Sequence, residues 1–168
     1  MSFPFEKLRQ GIIDIGIEPE TYDNVLKVWI DENGDTEQSK KDFIWKSYQD
    51  LLQSIAKGIT PLDEMYRRQR EVYLEMFYFL CKEEKPRTVA QAGINHCDLQ
   101  RALLSDINLE VKILGMKDCK TADEYANKTF SVEDAIKNEL IPNMKCKRQG
   151  GCVCMYTFIP IFPLKKIK

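Results

Sequence analysis

Four of the chain's six cysteines, Cys119, Cys146, Cys152 and Cys154, fall within the last 50 residues, and that crowding limits what the C-terminal third can fold into. A segment of this size with one expected helix and two expected strands has little core of its own. Metal binding free energy can substitute for the missing burial. In an extended strand residues 152 and 154 point to the same side, so both thiolates can face one ion. Gly150 and Gly151 leave the backbone free to bring Cys146 around, and Cys119, just after an expected strand, completes a tetrahedral zinc site of four thiolates. The spacing is not the CxxC…CxxC form. Two alternatives therefore stay open: reduced, partly buried thiols without metal, and a disulfide such as Cys146 to Cys152, which a reducing compartment disfavours. Cys81 and Cys97 lie on expected helices, where a thiol packs as a small hydrophobe.

The remaining pattern is helical. Phe5 to Ile15 and Thr21 to Ile30, the latter after Pro19, read as two amphipathic helices. Phe43, Ile44, Tyr48, Leu51, Leu52 and Ile55 recur at helical spacing until Gly58. Pro61 opens a fourth helix, with Met65, Val72, Met76 and Leu80 in an apolar stripe opposite a solvated face of Arg67, Arg68 and Arg70. After a charged break from Lys82 to Pro86, Thr88 to Ala92 and His96 to Leu104 read as two short helices with a turn at Gly93. Leu109 to Leu114 alternates like a strand. Ser131 to Leu140 is a helix with Ser131 as its cap and Asp134 in the acidic position of a capping box. The expected fold class is α+β, mainly α-helical: a helical body over residues 1–108 and a small cysteine-containing β unit over 109–168.

Charge and hydropathy exclude some classes and leave others. The formal net charge of −1 hides a polarised tail, because no acid follows Glu139 while Lys145, Lys147, Arg148, Lys165, Lys166 and Lys168 do. Such a tail suits an anionic partner, or keeps an apolar edge strand soluble. The start, MSFPFEKLRQ, lacks the basic and apolar run of a secretory signal, so the expected location is cytoplasmic. The apolar run Cys152 to Leu164 holds two prolines and falls short of the about 20 residues a membrane helix needs; no membrane association is expected.

The chemical inventory is thin. The sequence has no phosphate loop, Rossmann glycine run, nucleophile elbow or HExxH helix. His96 is the one histidine; it adjoins Cys97, but neighbours on a helix do not face each other. Asp31, Asn33, Asp35, Ser39 and Asp42 match oxygen-ligand spacing for calcium, yet Thr36 stands where the loop needs glycine. A solvated loop accounts for them better. The segment TVAQAGINHCDLQRALL is similar to a helix-turn-helix unit, in which Asn95, Gln100 and Arg101 would face base edges. Four basic against three acidic residues between Lys82 and Arg101 leave little charge to neutralise phosphates.

The residues VKILGMKDCKTADEYANKTFSVEDAIKNELIPNMKC and GGCVCMY, about 111–156, resemble the C-terminal element of phage head-morphogenesis (minor head) proteins and of uncharacterised bacterial proteins. In that element a strand, a CxxC, an aromatic, an acidic helix, a proline and a closing CxC follow in order. Cys119, Phe130, Pro142, Cys152 and Cys154 match it; Ala122 replaces the second cysteine, and the histidine before the CxC is absent. The resemblance implies a structural or assembly role with a cysteine-stabilised knuckle. The expected function is therefore a non-enzymatic interaction or assembly module with a protein partner and a zinc-binding C-terminal knuckle. The alternatives are a nucleic-acid-binding protein using residues 88–104, the basic tail (Lys145, Lys147, Arg148) and the aromatics Tyr156 and Phe158, and a thiol-dependent enzyme.

Overall fold

The structure, a computed structural model of the chain, describes residues 3–58, 61–115, 119–125, 127–142, 146 and 148–162. The chain is α+β and mainly helical. Five helices, α1 (Phe5–Ile15), α2 (Pro19–Asn33), α3 (Glu37–Lys57), α4 (Leu62–Lys82) and α5 (Thr88–Leu103), precede a unit of β1 (Leu109–Leu114), α6 (Lys120–Glu124), β2 (Phe130–Ser131), α7 (Val132–Asn138) and β3 (Met155–Pro160). Among these helices none is long and apolar enough to cross a membrane.

Local chemistry sets the helix limits. Pro19 opens α2, where its missing N–H costs nothing. Thr36 caps α3 by accepting from the Ser39 N–H at 3.0 Å, and Ser131 caps α7 by accepting from Asp134 N–H at 3.0 Å, each satisfying an otherwise orphaned donor. The calcium spacing dissolves in this geometry. Asp31 and Asn33 belong to α2 and Asp42 to α3, while Asp35 pairs with Lys40 at 2.6 Å.

Two apolar clusters form the interior. The first gathers Leu8, Ile12, Tyr22, Phe43, Ile44, Tyr48, Val72, Met76 and Phe79 from α1 to α4, with Ala90 of α5. The second gathers Leu99 of α5 with Val111, Ile113, Val132, Ala135, Ile141 and Tyr156 around Cys119, Cys152 and Cys154. The sheet order is β2-β1-β3, antiparallel throughout. Leu109 pairs with Pro160 and Leu114 with Met155 at the two ends of the β1–β3 register. Val111 and Ile113 alternate inward with Glu110 and Lys112 outward, as a half-covered strand requires.

The expected turn at Gly93 is not there. Residues 88–103 form one continuous helix, and Gly93 serves close packing instead: a Cβ at that position would lie 2.4 Å from ring atoms of Tyr73 on α4. The arginines of α4 are also more engaged than a solvated face implies. Arg70 pairs with Asp98 of α5, and Arg68 reaches the Ile15 carbonyl at 3.5 Å.

Gly93→Ala is accordingly expected to destabilise the protein by about 1–3 kcal/mol through overpacking, although alanine is the better helix former by about 1 kcal/mol. Gly58→Ala, at a helix end whose φ of −71° suits any residue, should change the urea midpoint little. Equal midpoints for the two variants would show that α4 and α5 are not in backbone-close contact.

Candidate metal centre

The CxC pair is positioned because the 148–154 segment is held against the N-terminal half of α5. Gly150 and Gly151 adopt φ of +81° and +80°, a region that side chains rarely enter. Gly151 N–H closes a turn on the Arg148 carbonyl at 2.9 Å. A Cβ on either glycine would also strike α5's start, 2.0 Å from Arg87 Nη2 or 2.2 Å from Thr88 Oγ1. The turn can therefore press directly on the helix. Arg87 N–H donates to the Gly150 carbonyl at 3.0 Å, and Arg87 Nη1 reaches Cys81 Sγ at 3.3 Å.

Two polar bonds then fix the CxC pair. Cys152 N–H donates to Thr88 Oγ1 at 3.0 Å, and Asn95 Nδ2 donates to the Cys154 carbonyl at 2.9 Å. Asn95 Oδ1 in turn accepts from Gln91 Nε2 at 3.1 Å, one turn earlier on the same helix face. All three side chains are buried. The strand itself starts only at Met155, so the CxC lies just before it.

Cys119 precedes α6 and accepts the Asp123 N–H on its carbonyl at 3.1 Å. Its Sγ lies 3.1 Å from Cys154 Sγ, and the Sγ atoms of Cys119, Cys152 and Cys154 all fall within 4.8 Å of one another. In a tetrahedral site with Zn–S bonds of about 2.3 Å the sulfurs stand about 3.8 Å apart. The three buried thiols are thus close enough together to hold a metal ion, with the Cys119–Cys154 separation shorter than that edge. Cys146, the fourth expected ligand, is half-buried and packs on the same cluster, but its Sγ does not join the three that lie within 4.8 Å of one another. Among the described residues no disulfide joins any of the cysteines.

The electrostatics suit a cation. Burial, then hydrogen bonds to Cys119 and Cys152 and the proximity of those thiols, push the Cys154 thiol far above its ordinary range. At Cys146 the Arg148 backbone N–H favours the thiolate, but burial and the neighbouring Cys152 and Cys119 outweigh it and leave the pKa raised. Thiols crowded in an apolar setting resist sharing negative charge, whereas a divalent ion reverses that preference and takes them as thiolates.

The other candidate residues are placed elsewhere. Asn95, expected to face bases, is buried and bound to Cys154. Arg101 pairs with Asp63 at 2.9 Å, Gln100 is half-buried, and one unbroken helix carries all three, so the helix-turn-helix geometry is absent. Tyr156 is buried and Phe158 half-buried, and Arg148 holds Nη1 buried without a hydrogen-bond partner among the described residues. Lys145, Lys147, Lys165, Lys166 and Lys168 lie outside the described residues.

His96 is exposed and meets Tyr66 edge-on at 5.9 Å between ring centroids, while Cys97 is 0% exposed. Burial pushes the Cys97 thiol up to about 12, with Asp98 adding to the rise, the opposite of an activated nucleophile. Sequence reasoning missed Thr88, Gln91 and Arg87 altogether. The available signal was Gln91 and Asn95, two amides four residues apart on a helix face shared with Ile94 and Leu99.

Thr88→Val keeps the shape and removes the acceptor for a buried N–H. It should cost about 1–3 kcal/mol in unfolding free energy; an unchanged value would detach the CxC from α5. A pH effect follows from Cys97. Its folded pKa is raised from 9.0 to about 12, so the folded chain keeps a proton that the unfolded chain sheds. The associated stability is present below about pH 9 and is lost as pH climbs toward 12. Urea titrations of metal-free, reduced protein should show that decline, and Cys97→Ala should make it shallower. Tyr156, raised to about 12 by burial, acts in the same direction and leaves a residual slope.

Comparison with family models, with curated proteins and with solved structures finds no match to this chain, so the reading of the centre rests on its own geometry.

Proposed function

We propose that the chain is a non-enzymatic interaction module whose C-terminal unit is a zinc knuckle. Cys119, Cys152 and Cys154 would supply three thiolates and Cys146 the fourth. The carrying observation is the convergence of three buried Sγ atoms, from positions 35 residues apart along the chain, within 4.8 Å of one another. An all-sulfur donor set selects zinc over hard cations such as calcium or magnesium. A metal also answers the energetic need, because α6 and β2 are 5 and 2 residues long and cannot hold a fold by their own burial.

The interaction role is supported by what the unit leaves exposed. Strand β3 ends the sheet, so its outer edge has no strand partner among the described residues, and Met155–Pro160 carries no charge to discourage pairing. Ile161, 40% exposed, and Phe162, 78% exposed, follow directly, with Ile107 exposed beside them on the β1 side. The Ile161 N–H bonds the Asn108 carbonyl at 2.9 Å, which holds these apolar residues together. A protein partner adding a strand to this edge fits such a surface. An assembly role of the kind suggested by the likeness to minor head proteins is consistent with it.

Metal analysis of the full chain purified without chelator tests the proposal. One zinc ion per chain is expected, with chelation lowering the thermal midpoint. Cys119→Ser, Cys152→Ser and Cys154→Ser should each lose the metal, and Cys146→Ser should bind it about ten- to a hundred-fold more weakly. Cys97→Ala should bind normally. Zinc far below one per chain, with stability indifferent to chelator, would remove the knuckle.

A further inference from the structure

The outer edge of β3 has a fixed pattern of backbone donors and acceptors. Ile161 N–H donates to the Asn108 carbonyl at 2.9 Å, and residues 161 and 108 continue the register that sets Pro160 opposite Leu109. In an antiparallel ladder bonded and unbonded pairs alternate. The N–H and C=O of Met155, Thr157 and Ile159 therefore turn toward β1, and those of Tyr156 and Phe158 turn outward with the Pro160 carbonyl. Proline has no N–H, and an outward edge position is where a sheet tolerates it. Carried one step back, the alternation turns the Cys154 carbonyl outward too, where it already accepts from Asn95 Nδ2 at 2.9 Å.

We propose that the occupant of this edge is a second copy of the chain, paired β3 to β3 and antiparallel about a two-fold axis at Thr157, which joins two three-stranded sheets into one. This pairing deepens the interaction reading and rests on it, because that reading supplies the open edge. In an isologous contact the same patch meets itself. With Thr157 opposite its own copy, Tyr156 of each chain faces Phe158 of the other, and every outward N–H of the two residues meets a carbonyl. One step further out, Cys154 faces Pro160. The proline has no N–H to give, and the Cys154 carbonyl, held by Asn95, does not call for one. A foreign strand with an ordinary residue there would bring its N–H to an acceptor already engaged. An axis at Phe158 would instead set Pro160 opposite Tyr156 and leave the Tyr156 carbonyl unserved.

The side chains agree with that register. Tyr156 and Phe158 pair with the inward-facing Ile113 and Val111, so the Tyr156–Phe158 contacts across the seam lie on the covered face, where cross-strand aromatic pairs stabilise a sheet. On the solvated face Met155, 47% exposed, meets Ile159, and Thr157 meets Thr157. A two-fold axis at a strand edge brings like charges together. No residue from Gly150 to Leu164 is charged, so the pairing opposes none.

The test combines sedimentation equilibrium of the full reduced chain over a wide concentration range with residue-level amide hydrogen exchange. A monomer–dimer equilibrium is expected. The Tyr156 and Phe158 amides should exchange fast in dilute solution and slow as the dimer forms, while those of Thr157 and Ile159, bonded to β1, stay protected throughout. Thr157→Glu sets like charges against each other at the axis and should weaken the dimer about ten-fold or more, while Lys112 opposite it on β1 suits the folded monomer. Thr157→Lys should associate with itself as weakly, and an equimolar mixture of the two variants should recover the dimer, which a folding defect would not allow. A chain that stays monomeric with both outward amides exchanging fast would overturn self-pairing and leave the edge open to another protein. Slow exchange of both amides in the dilute monomer would mean that the chain covers its own edge, and would remove the interaction reading as well. A dimer indifferent to Thr157→Glu would place the contact elsewhere and overturn the pairing.

Discussion

The architecture depends on two backbone groups of the CxC segment being answered by side chains of α5. Cys152 N–H finds Thr88 Oγ1 and the Cys154 carbonyl finds Asn95 Nδ2. Both groups are buried, and neither belongs to a helix or sheet ladder. Leaving either unmade costs about 1–3 kcal/mol, so the pairs specify one register of the cysteine segment on the helix. Apolar contact alone would permit sliding. The Gly150–Gly151 turn makes the approach close enough for those bonds, and the bonds orient the sulfurs toward Cys119.

Helix α5 can do this because it serves two interiors. Ala90 joins the cluster of α1 to α4, and Leu99 joins the cluster around the sheet. Gln91 and Asn95 are buried between them, each satisfied by the other or by the cysteine segment. Gly93 lets the same helix lie against Tyr73 of α4. Ion pairs from Arg70 and Arg101 add to the α4–α5 contact, but being partly solvated they contribute little compared with packing. Position within the fold is therefore carried from helical body to cysteine unit by one element that packs against both.

That double contact explains which parts were legible in the sequence. Helices α1 to α4, strand β1 and the Ser131 cap declare themselves through periodicity and capping residues, which are local signals. The convergence of Cys119, Cys152 and Cys154 was also legible, from composition and from the alternation of residues 152 and 154, though the ordered strand begins one residue later. Gly93 misled because glycine signals both a turn and a close helix contact, and only Tyr73, 20 residues earlier, decides between them. Asn95 misled for a related reason. An amide amid apolar neighbours looks like a recognition residue until the carbonyl it serves, at position 154, is known. Nothing local to residues 88–104 contains that carbonyl.

The charge of the centre closes the physical account. Crowded, buried thiols can remain protonated, and the raised pKa of Cys154 expresses that state. They can instead ionise together on a divalent cation, giving a doubly negative tetrathiolate. Arg148 lies beside Cys146 in the chain. Its backbone N–H points at Cys146 and favours the thiolate, and its Nη1 is buried without a hydrogen-bond partner among the described residues. A buried guanidinium edge is costly unless negative charge stands near it. Neutral thiols supply none. Under the proposed zinc reading the sulfurs would ionise together, and Arg148, two residues after Cys146, would then stand close in sequence to the charge they form.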